Sequence, residues 1–326
     1  MKNIFKKIIA SAIAITMLIS SSALLSSCGD DIPVIGISQY AQHPSLDNCR
    51  LGFIEGLKEA GLVEGVDFKI DYQNAGSNDN TAIQIAQSFS SKNVALMCAI
   101  ATPSATTCYA AAEGTDIPVI FTAISDPAQA NLTTGNVTGT SDKLPVNAQL
   151  ELIRKMQPDA TRIGIIYTTS EPNSVSTIAD YKAAAPSYGF EIVDIGVTSQ
   201  SEVTMAADAL ISQNVDCFSN LTDNNVVNVL ASILEKTNEA GIPVYGSEIE
   251  QVKIGCVASA GIDYFELGKQ TGKMAAQILR GEKTADELDI FYVTDFSYYV
   301  NSTAAEELGV TIPSDILAVA EDTANT

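Results

Sequence analysis

A strand–helix order that occurs twice along the chain constrains its fold more than any other feature. From Pro33 onward, short apolar segments alternate with segments of helical periodicity, which is typical of parallel α/β architecture. The predicted strands of the first set are residues 34–37, 68–72, 94–100 and 118–121. The same order returns at residues 162–167, 190–193, 215–219 and 240–246. The chain is therefore predicted to form two similar α/β lobes.

Turn-forming residues predict where the chain passes between the lobes. Residues 139–145 follow the first set of strands, residues 258–262 hold the equivalent place in the second set, and a stretch near 291–300 is expected to cross again. Several crossings make a hinge that bends without letting the lobes separate. The predicted boundaries are 32–141 with 259–288 for lobe one, 142–258 with 289–316 for lobe two, and 317–326 for a flexible acidic tail.

The first residues have the features of an export signal. Lys2, Lys6 and Lys7 precede an apolar run of eighteen residues that stops at Leu25-Ser26-Ser27-Cys28, which resembles a bacterial lipobox. Residues 1–27 are therefore predicted to be a signal peptide, and Cys28 to be the lipid-bearing residue that anchors an extracytoplasmic protein to the cell membrane. The alternative is an uncleaved transmembrane anchor, because the run approaches the length of a membrane span.

The charge of the chain argues against an anionic partner. Loss of the three signal-peptide lysines changes the formal net charge from −21 to −24. Such an acidic protein is repelled by phosphate backbones, so nucleic acid is not an expected partner.

Cysteine and histidine usage argues against catalytic and metal sites. Beyond Cys28 the cysteines are odd in number and lack C-x-x-C spacing, so they are predicted to be unpaired and buried. They are Cys49, Cys98, Cys108, Cys217 and Cys256. His43 is the only histidine, which argues against a Ser-His-Asp triad and a multi-histidine metal site. No nucleotide-binding or EF-hand motif is present, so no cofactor or metal is expected.

Six stretches of the sequence are similar to one known family. They are QYAQHPSLD (39–47), IDYQNA (70–75), AIATP (99–103), FTAISDP (121–127), NVTGTSD (136–142) and GIDYFELGKQTG (261–272). In their order and spacing, from about residue 32 to residue 310, the chain resembles the ABC-transporter substrate-binding lipoproteins associated with tryptophan and tyrosine uptake.

The resemblance implies a fold, a ligand class and partners. It implies a type I periplasmic-binding-protein fold, with the ligand enclosed between two Rossmann-like lobes. The implied ligand is a small solute, an L-amino acid with a large or aromatic side chain. The implied partners are the permease and ATPase subunits of an ABC importer, and no enzymatic activity is expected.

Candidate ligand contacts follow from the architecture, because open parallel sheets bind ligands outside the carboxyl ends of their strands. Polar residues after the predicted strands of lobe one are Gln39, Tyr40, Thr102, Ser104, Ser125 and Asp126, with Ser141 and Asp142 at the hinge. Those of lobe two are Glu171, Asn173, Ser174, Asp223, Asn224, Ser247 and Glu248. The same residue types are also ordinary helix caps and turn formers.

Each part of an amino acid has a candidate partner. Residues 102–104 open a predicted helix with a proline in its first turn, so free N–H groups there suit a carboxylate. The acidic residues Asp142, Asp223 and Glu248 suit an ammonium group. Either Tyr40 or His43 is expected to face an aromatic side chain.

Two other function classes fit parts of the sequence. A cofactor-independent racemase would use Cys98 and Cys217 as paired acid and base, but their distance from the strand ends places both thiols in the core. A membrane-tethered sensor would share the fold and the anchor without transporting its solute.

We predict that Cys28 is the attachment point to the membrane. A Cys28→Ser variant should lose labelling by radioactive fatty acid and should be retained as a precursor or shed, since serine offers no thiol to the lipid. If the variant is still processed and labelled, the lipobox interpretation is wrong.

Overall fold

The protein is described by a computed structural model that covers residues 32–324. The predicted signal peptide and Cys28 lie outside the described residues. Within the described range, none of the helices combines the length and the apolar character needed to cross a membrane.

Strands and helices alternate along the chain as predicted. The first half contains β1 (Val34–Gln39), α1 (Pro44–Glu59), β2 (Lys69–Asn74), α2 (Asp79–Ser91), β3 (Leu96–Ile100), α3 (Thr102–Ala112), β4 (Val119–Thr122), β5 (Val137–Ser141) and α4 (Val146–Met156). The next part contains β6 (Arg162–Thr168), α5 (Pro172–Ala184), β7 (Glu191–Val197), α6 (Val203–Ser212), β8 (Cys217–Ser219), α7 (Asn224–Val227), α8 (Leu230–Glu239), β9 (Val244–Tyr245) and α9 (Ile249–Ile254). The last part contains β10 (Ala258–Gly261), α10 (Tyr264–Leu279), β11 (Phe291–Tyr292), β12 (Ser297–Val300), α11 (Ser302–Glu307), α12 (Ser314–Leu317) and β13 (Glu321–Asp322).

The strands form two sheets, as the repeated order predicts. The six-stranded sheet of lobe one has the order β11-β5-β4-β3-β1-β2, and all its neighbouring strands are parallel. The seven-stranded sheet of lobe two has the order β13-β12-β10-β9-β8-β6-β7, in which only β10 and β12 pair antiparallel. One buried apolar cluster belongs to the first sheet and two to the second, so each lobe has its own core.

The chain changes lobes at slightly different places than the sequence suggested. β10 belongs to the second sheet although residues from 259 were assigned to lobe one, and β11 pairs with β5 of the first sheet although residues from 289 were assigned to lobe two. β13 lies within residues 317–326, the segment predicted to be a flexible acidic tail, and pairs with β12. β11 and β13 are only two residues long and are held by backbone pairing, which requires no apolar pattern. The sequence therefore did not indicate these two strands.

Helix α10 lies within the residues assigned to lobe one from the sequence, and it packs on α1. Its N-cap Asp263 accepts hydrogen bonds through Oδ1 from the backbone N–H groups of Phe265 (2.7 Å) and Glu266 (3.2 Å). At the other end Gly281 has a φ of 66°, a left-handed conformation that glycine adopts without strain and that terminates helices.

Glycines let the backbones of α1 and α10 touch. Gly52 and Gly56 on α1 face Gly268 and Gly272 on α10, each pair spaced by four residues so that both members lie on one helix face. A Cβ atom added at any of these four positions would come within 2.0–2.2 Å of a backbone oxygen on the other helix. Any larger side chain there would therefore force the two helices apart.

We predict that Gly56→Ala destabilises the protein by about 3 kcal/mol, because overpacking that moves backbone is costly. Urea denaturation followed by circular dichroism measures this change. Gly164→Ala is the matched control, since a Cβ there meets only side-chain methyl groups at 3.2 Å or more. Equal effects of the two substitutions would contradict the proposed close helix contact.

Candidate functional site

A small cavity lies between the carboxyl ends of the two sheets. The residues that line it are His43, Ser45, Leu46, Ala101, Thr102, Ala123 and Asp142 from the first half of the chain, Asn173, Thr222, Asn224, Val227, Glu248 and Gln251 from lobe two, and Tyr264 from the start of α10. Its volume of about 20 Å³ is room for about one water molecule. Larger grooves of about 310–580 Å³ occur elsewhere on the described residues, but none of the predicted ligand residues lines them.

Direct hydrogen bonds connect the two lobes around this cavity. The pairs are Ser45–Glu248, Asn48–Glu250, Ser77–Asn228, Ser125–Thr222 and Asp126–Ser176, with donor–acceptor distances of 2.6–3.1 Å. All five involve a side chain on each lobe. The walls must therefore separate, at the cost of these bonds, before a solute larger than water enters.

Two alanines that line the cavity have backbone conformations that side chains disfavour. Ala101 has φ 75° and ψ 155°, and Ala123 has φ 58°. Ala101 follows β3 and precedes α3, while Ala123 follows β4. Positive φ values at non-glycine residues store strain and are concentrated at ligand clamps. The strain here turns the chain sharply at the strand ends, which places the start of α3 at the cavity.

In lobe one, two of the predicted ligand residues line the cavity. Thr102 is buried, and its Oγ1 has no hydrogen-bond partner within the described part of the chain. Asp142 accepts hydrogen bonds from Ser125 Oγ (2.9 Å) and Tyr264 Oη (2.6 Å), and burial raises its pKa. Asp142 therefore joins the hinge to the start of α10.

The other predicted residues of lobe one lie behind the wall and hydrogen-bond within the protein. The pairs are Gln39 with Asp47, Tyr40 with Asp79, Ser104 with Ser38, Ser125 with Asp142, Asp126 with Ser176, and Ser141 with the Ser125 carbonyl. These residues support the cavity rather than line it.

In lobe two, Asn173, Asn224 and Glu248 line the cavity, whereas Ser174, Ser247, Glu171 and Asp223 do not. Ser174 donates to Asp223 Oδ2 at 2.7 Å, and Ser247 Oγ accepts from Gln251 Nε2 at 2.7 Å.

Asp223 is saturated with hydrogen bonds from the protein itself. Its carboxylate accepts from Thr168 N and Oγ1, from Ser174 Oγ, and from the backbone N–H groups of Asn225 and Val226, at 2.6–3.1 Å. Five donors occupy both oxygens. Asp223 therefore ties β6, α5 and α7 together.

Glu171 differs from Asp223 because one of its oxygens is unpaired. Its Oε2 accepts from Asn224 N (3.3 Å), Asn224 Nδ2 (2.8 Å) and Asn173 Nδ2 (3.4 Å), whereas the buried Oε1 has no partner within the described residues. Burial, followed by the repulsion of the neighbouring Asp223 carboxylate, raises the pKa of Glu171 well above its ordinary value. Glu171 is thus a buried acceptor that contacts two wall residues.

Glu248 serves both lobes. Its carboxylate caps α9 by accepting from Glu250 N (2.7 Å) and Gln251 N (3.0 Å), and it also accepts from Ser45 Oγ across the cleft (3.0 Å). Burial raises its pKa to about 7. No lysine or arginine lines the cavity, so its charged groups are carboxylates alone.

Several cavity residues were not found from the sequence. They are Ser45, Leu46, Ala101, Ala123, Thr222, Val227, Gln251 and Tyr264. Ser45 and Leu46 lie within the family-like stretch 39–47, and Tyr264 lies within 261–272, so those stretches held an unused signal. Val227 and Gln251 gave no signal, because an apolar or amide residue in the first turn of a helix resembles an ordinary packing residue.

The thiols proposed for a racemase do not meet at this cavity. Cys98 in β3 and Cys217 in β8 are free, fully buried and absent from the cavity wall. Burial raises the pKa of both thiols, which disfavours the thiolate form that such chemistry requires. The other described cysteines are also free and buried, as predicted.

Comparison with known proteins places the chain among relatives of one kind. A family model described as ABC transporter substrate binding protein matches residues 34–324. A tyrosine-binding protein of Clostridioides difficile (strain R20291) is 40% identical over 261 residues, which cover 77% of this chain and 74% of that protein.

Two solved structures share the fold of this chain, one with a bound ligand and one without. An ABC domain from Streptococcus pneumonia in complex with L-Trp has a TM-score of 0.85 at 33% identity, covering 90% of this chain and 99% of that chain. A ligand-free, open structure of a substrate-binding protein from Clostridium difficile has a TM-score of 0.67 at 35% identity, covering 90% and 100%. The lobe arrangement described here is therefore nearer to the L-Trp complex.

We predict that the protein loses stability as the pH rises from 5 to 8. The pKa of Glu248 is about 7 in the folded protein against 4.5 in the unfolded chain, so the folded state retains a proton that the unfolded state releases. Its contribution is complete below pH 4.5, and up to about 3 kcal/mol is lost as the pH rises through 7. Thermal denaturation across this range measures the loss.

Glu248→Gln should reduce this pH dependence, because glutamine does not ionise. Glu307→Gln is the matched control on an exposed glutamate. The pH prediction fails if both variants decline as steeply as the unsubstituted protein.

Proposed function

Because the chain belongs to the ABC transporter substrate-binding protein family, we propose that it captures an L-amino acid with an aromatic side chain for import. The relatives that bind tyrosine or L-Trp support this ligand class. The observation in this chain that carries the proposal is a set of buried, unpaired polar atoms at, or directly behind, the wall of a cleft whose charged groups are carboxylates. Such a cleft favours a ligand that brings a cation.

The ammonium group of the ligand is assigned to Glu171 and Asn173. Glu171 Oε1 and Asn173 Oδ1 are buried acceptors without partners within the described residues, and an ammonium group offers three donors and a positive charge. The sequence also named Asp223 as a candidate partner for the ammonium group. Its five hydrogen bonds within the protein leave its carboxylate less capacity to accept from a ligand. An ammonium beside Glu171 would also offset the repulsion between Glu171 and Asp223.

The carboxylate of the ligand is assigned to the start of α3. The first turn of a helix leaves backbone N–H groups free, and the positive end of the helix dipole favours an anion there. Thr102 adds a buried hydroxyl without a partner in the described part of the chain. Since no lysine or arginine lines the cavity, neutral donors of this kind would hold the carboxylate.

Lobe closure would complete the site. The carboxylate of the ligand would contact lobe one at Thr102, and its ammonium group would contact lobe two at Asn173, with Glu171 directly behind that residue. Full binding energy is then available only when both lobes touch the ligand. The greater similarity to the L-Trp complex than to the open, ligand-free relative supports a closed arrangement for the conformation described here.

As a family member the chain acts outside the cytoplasm, with ABC permease and ATPase subunits as partners. We further propose that a lipid on Cys28 holds it at the membrane, and that the protein carries out no covalent chemistry on its solute. The burial of Cys98 and Cys217 supports the second point, because neither thiol reaches the cavity.

We predict that tryptophan binds and that Glu171→Gln weakens its binding by about tenfold to a hundredfold, because hydrogen bonds to charged groups contribute about 1.5–3 kcal/mol. The chain contains no tryptophan, so the emission of added tryptophan reports its capture directly. Tyrosine and phenylalanine should compete for the same site. Glu307→Gln, on the exposed surface, should leave the affinity unchanged.

The ligand class is wrong if tryptophan, tyrosine and phenylalanine all fail to bind at millimolar concentration while another solute binds tightly. That result would leave the membership of the transport family intact.

A further inference from the structure

We infer that His43 determines specificity within the aromatic class by accepting a hydrogen bond from the ring of the ligand. The cleft would then prefer an aromatic amino acid whose side chain carries an O–H or N–H donor over one that carries none. This inference rests on the proposed function, and it concerns the side chain of the ligand rather than its ammonium and carboxylate groups.

His43 offers a single unpaired nitrogen at the cavity. The residue is half-buried as a whole and lines the cavity, and its Nδ1 atom is shielded from solvent without a hydrogen-bond partner within the described residues. Burial lowers the pKa of His43 to about 4, so the imidazole is neutral at physiological pH. A neutral imidazole has one donor nitrogen and one acceptor nitrogen.

The neighbouring residues determine which nitrogen is the acceptor. Glu171 Oε2 accepts from Asn224 Nδ2 at 2.8 Å, and this bond fixes the amide so that Asn224 Oδ1 faces the histidine. His43 Nε2 lies 3.5 Å from Asn224 Oδ1, a long contact in which the nitrogen must be the donor because the oxygen only accepts. The proton is therefore on Nε2, and Nδ1 is an acceptor.

Helix capping, the usual structural role of a side chain at the start of a helix, does not engage His43 Nδ1. His43 is the N-cap of α1, where a side chain often accepts from the first backbone N–H groups of the helix. No such side-chain hydrogen bond is formed here. Nδ1 is therefore a buried acceptor that serves neither the helix nor a neighbouring side chain of the described residues. Because buried polar atoms normally have a hydrogen-bond partner, a ligand is the remaining candidate for that partner.

The part of the cavity around His43 suits a ring. Leu46 lies one turn from His43 along α1, and Val227 lies one turn from Asn224 along α7. The contact between His43 and Asn224 is therefore flanked by two apolar cavity residues, one from each lobe. An aromatic ring between Leu46 and Val227 would bring a donor at its edge to His43.

A site built to hydrogen-bond a donor rejects an isostere that lacks it, because the buried acceptor is then left unpaired. Two ligand pairs test this with little change in shape. Tyrosine differs from phenylalanine by the hydroxyl, and tryptophan differs from 3-benzothienyl-L-alanine by replacement of the indole N–H with sulfur. The inference predicts that the first member of each pair binds at least about tenfold more tightly.

The experiment measures all four affinities for the unsubstituted protein and for His43→Leu, by tryptophan emission and by competition against it. The variant should bind tyrosine and tryptophan about tenfold more weakly and phenylalanine within about threefold, so that both ratios approach one. Retained phenylalanine binding also shows that the variant is folded. Gln42→Leu, on the exposed neighbour of His43, is the matched control and should keep both ratios.

Equal binding of phenylalanine and tyrosine to the unsubstituted protein would overturn the inference. So would a His43→Leu variant that weakens all four ligands equally, because His43 would then contact the part that they share. Either result leaves the proposed function standing. If none of the four ligands binds the unsubstituted protein, the proposed function fails and the inference fails with it.

Discussion

The close contact between α1 and α10 is the constraint on which the lobe-one side of the cleft depends. Four glycines allow the two backbones to touch, and Thr271 Oγ1 on α10 adds a buried contact of 2.7 Å to Thr140 Oγ1 on β5. Both helices begin at the cavity: α1 presents Ser45 and Leu46, and α10 presents Tyr264. Positions far from the ligand therefore set the distance between two parts of its wall.

The fold was largely predictable because burial leaves a periodic record in the sequence. Central strands such as β3 are fully buried and read as continuous apolar runs, and the turn-forming residues 258–262 predicted that the chain returns to lobe one. The short strands β11 and β13 left no such record. They have exposed residues and are held by backbone pairing alone.

The candidate site was predictable as a region but not residue by residue. The strand-end rule found Thr102, Asp142, Asn173, Asn224 and Glu248, which the structure brings together. The sequence named Asp223, and not Glu171, as a partner for an ammonium group. They differ only in how many donors surround each carboxylate, and those donors come from several elements distant in sequence. That property belongs to the folded state and is absent from local sequence.

The hinge makes lobe one discontinuous along the chain, with consequences for synthesis. All of lobe two from α4 to β10 is made before α10, the helix that covers the glycine face of α1. A nascent chain that ends before residue 264 lacks α10, so the glycine face of α1 is uncovered even when the first five strands are complete. The order of the elements thus delays the final packing of lobe one until most of the polypeptide has left the ribosome. During that interval an exported chain is still incompletely folded.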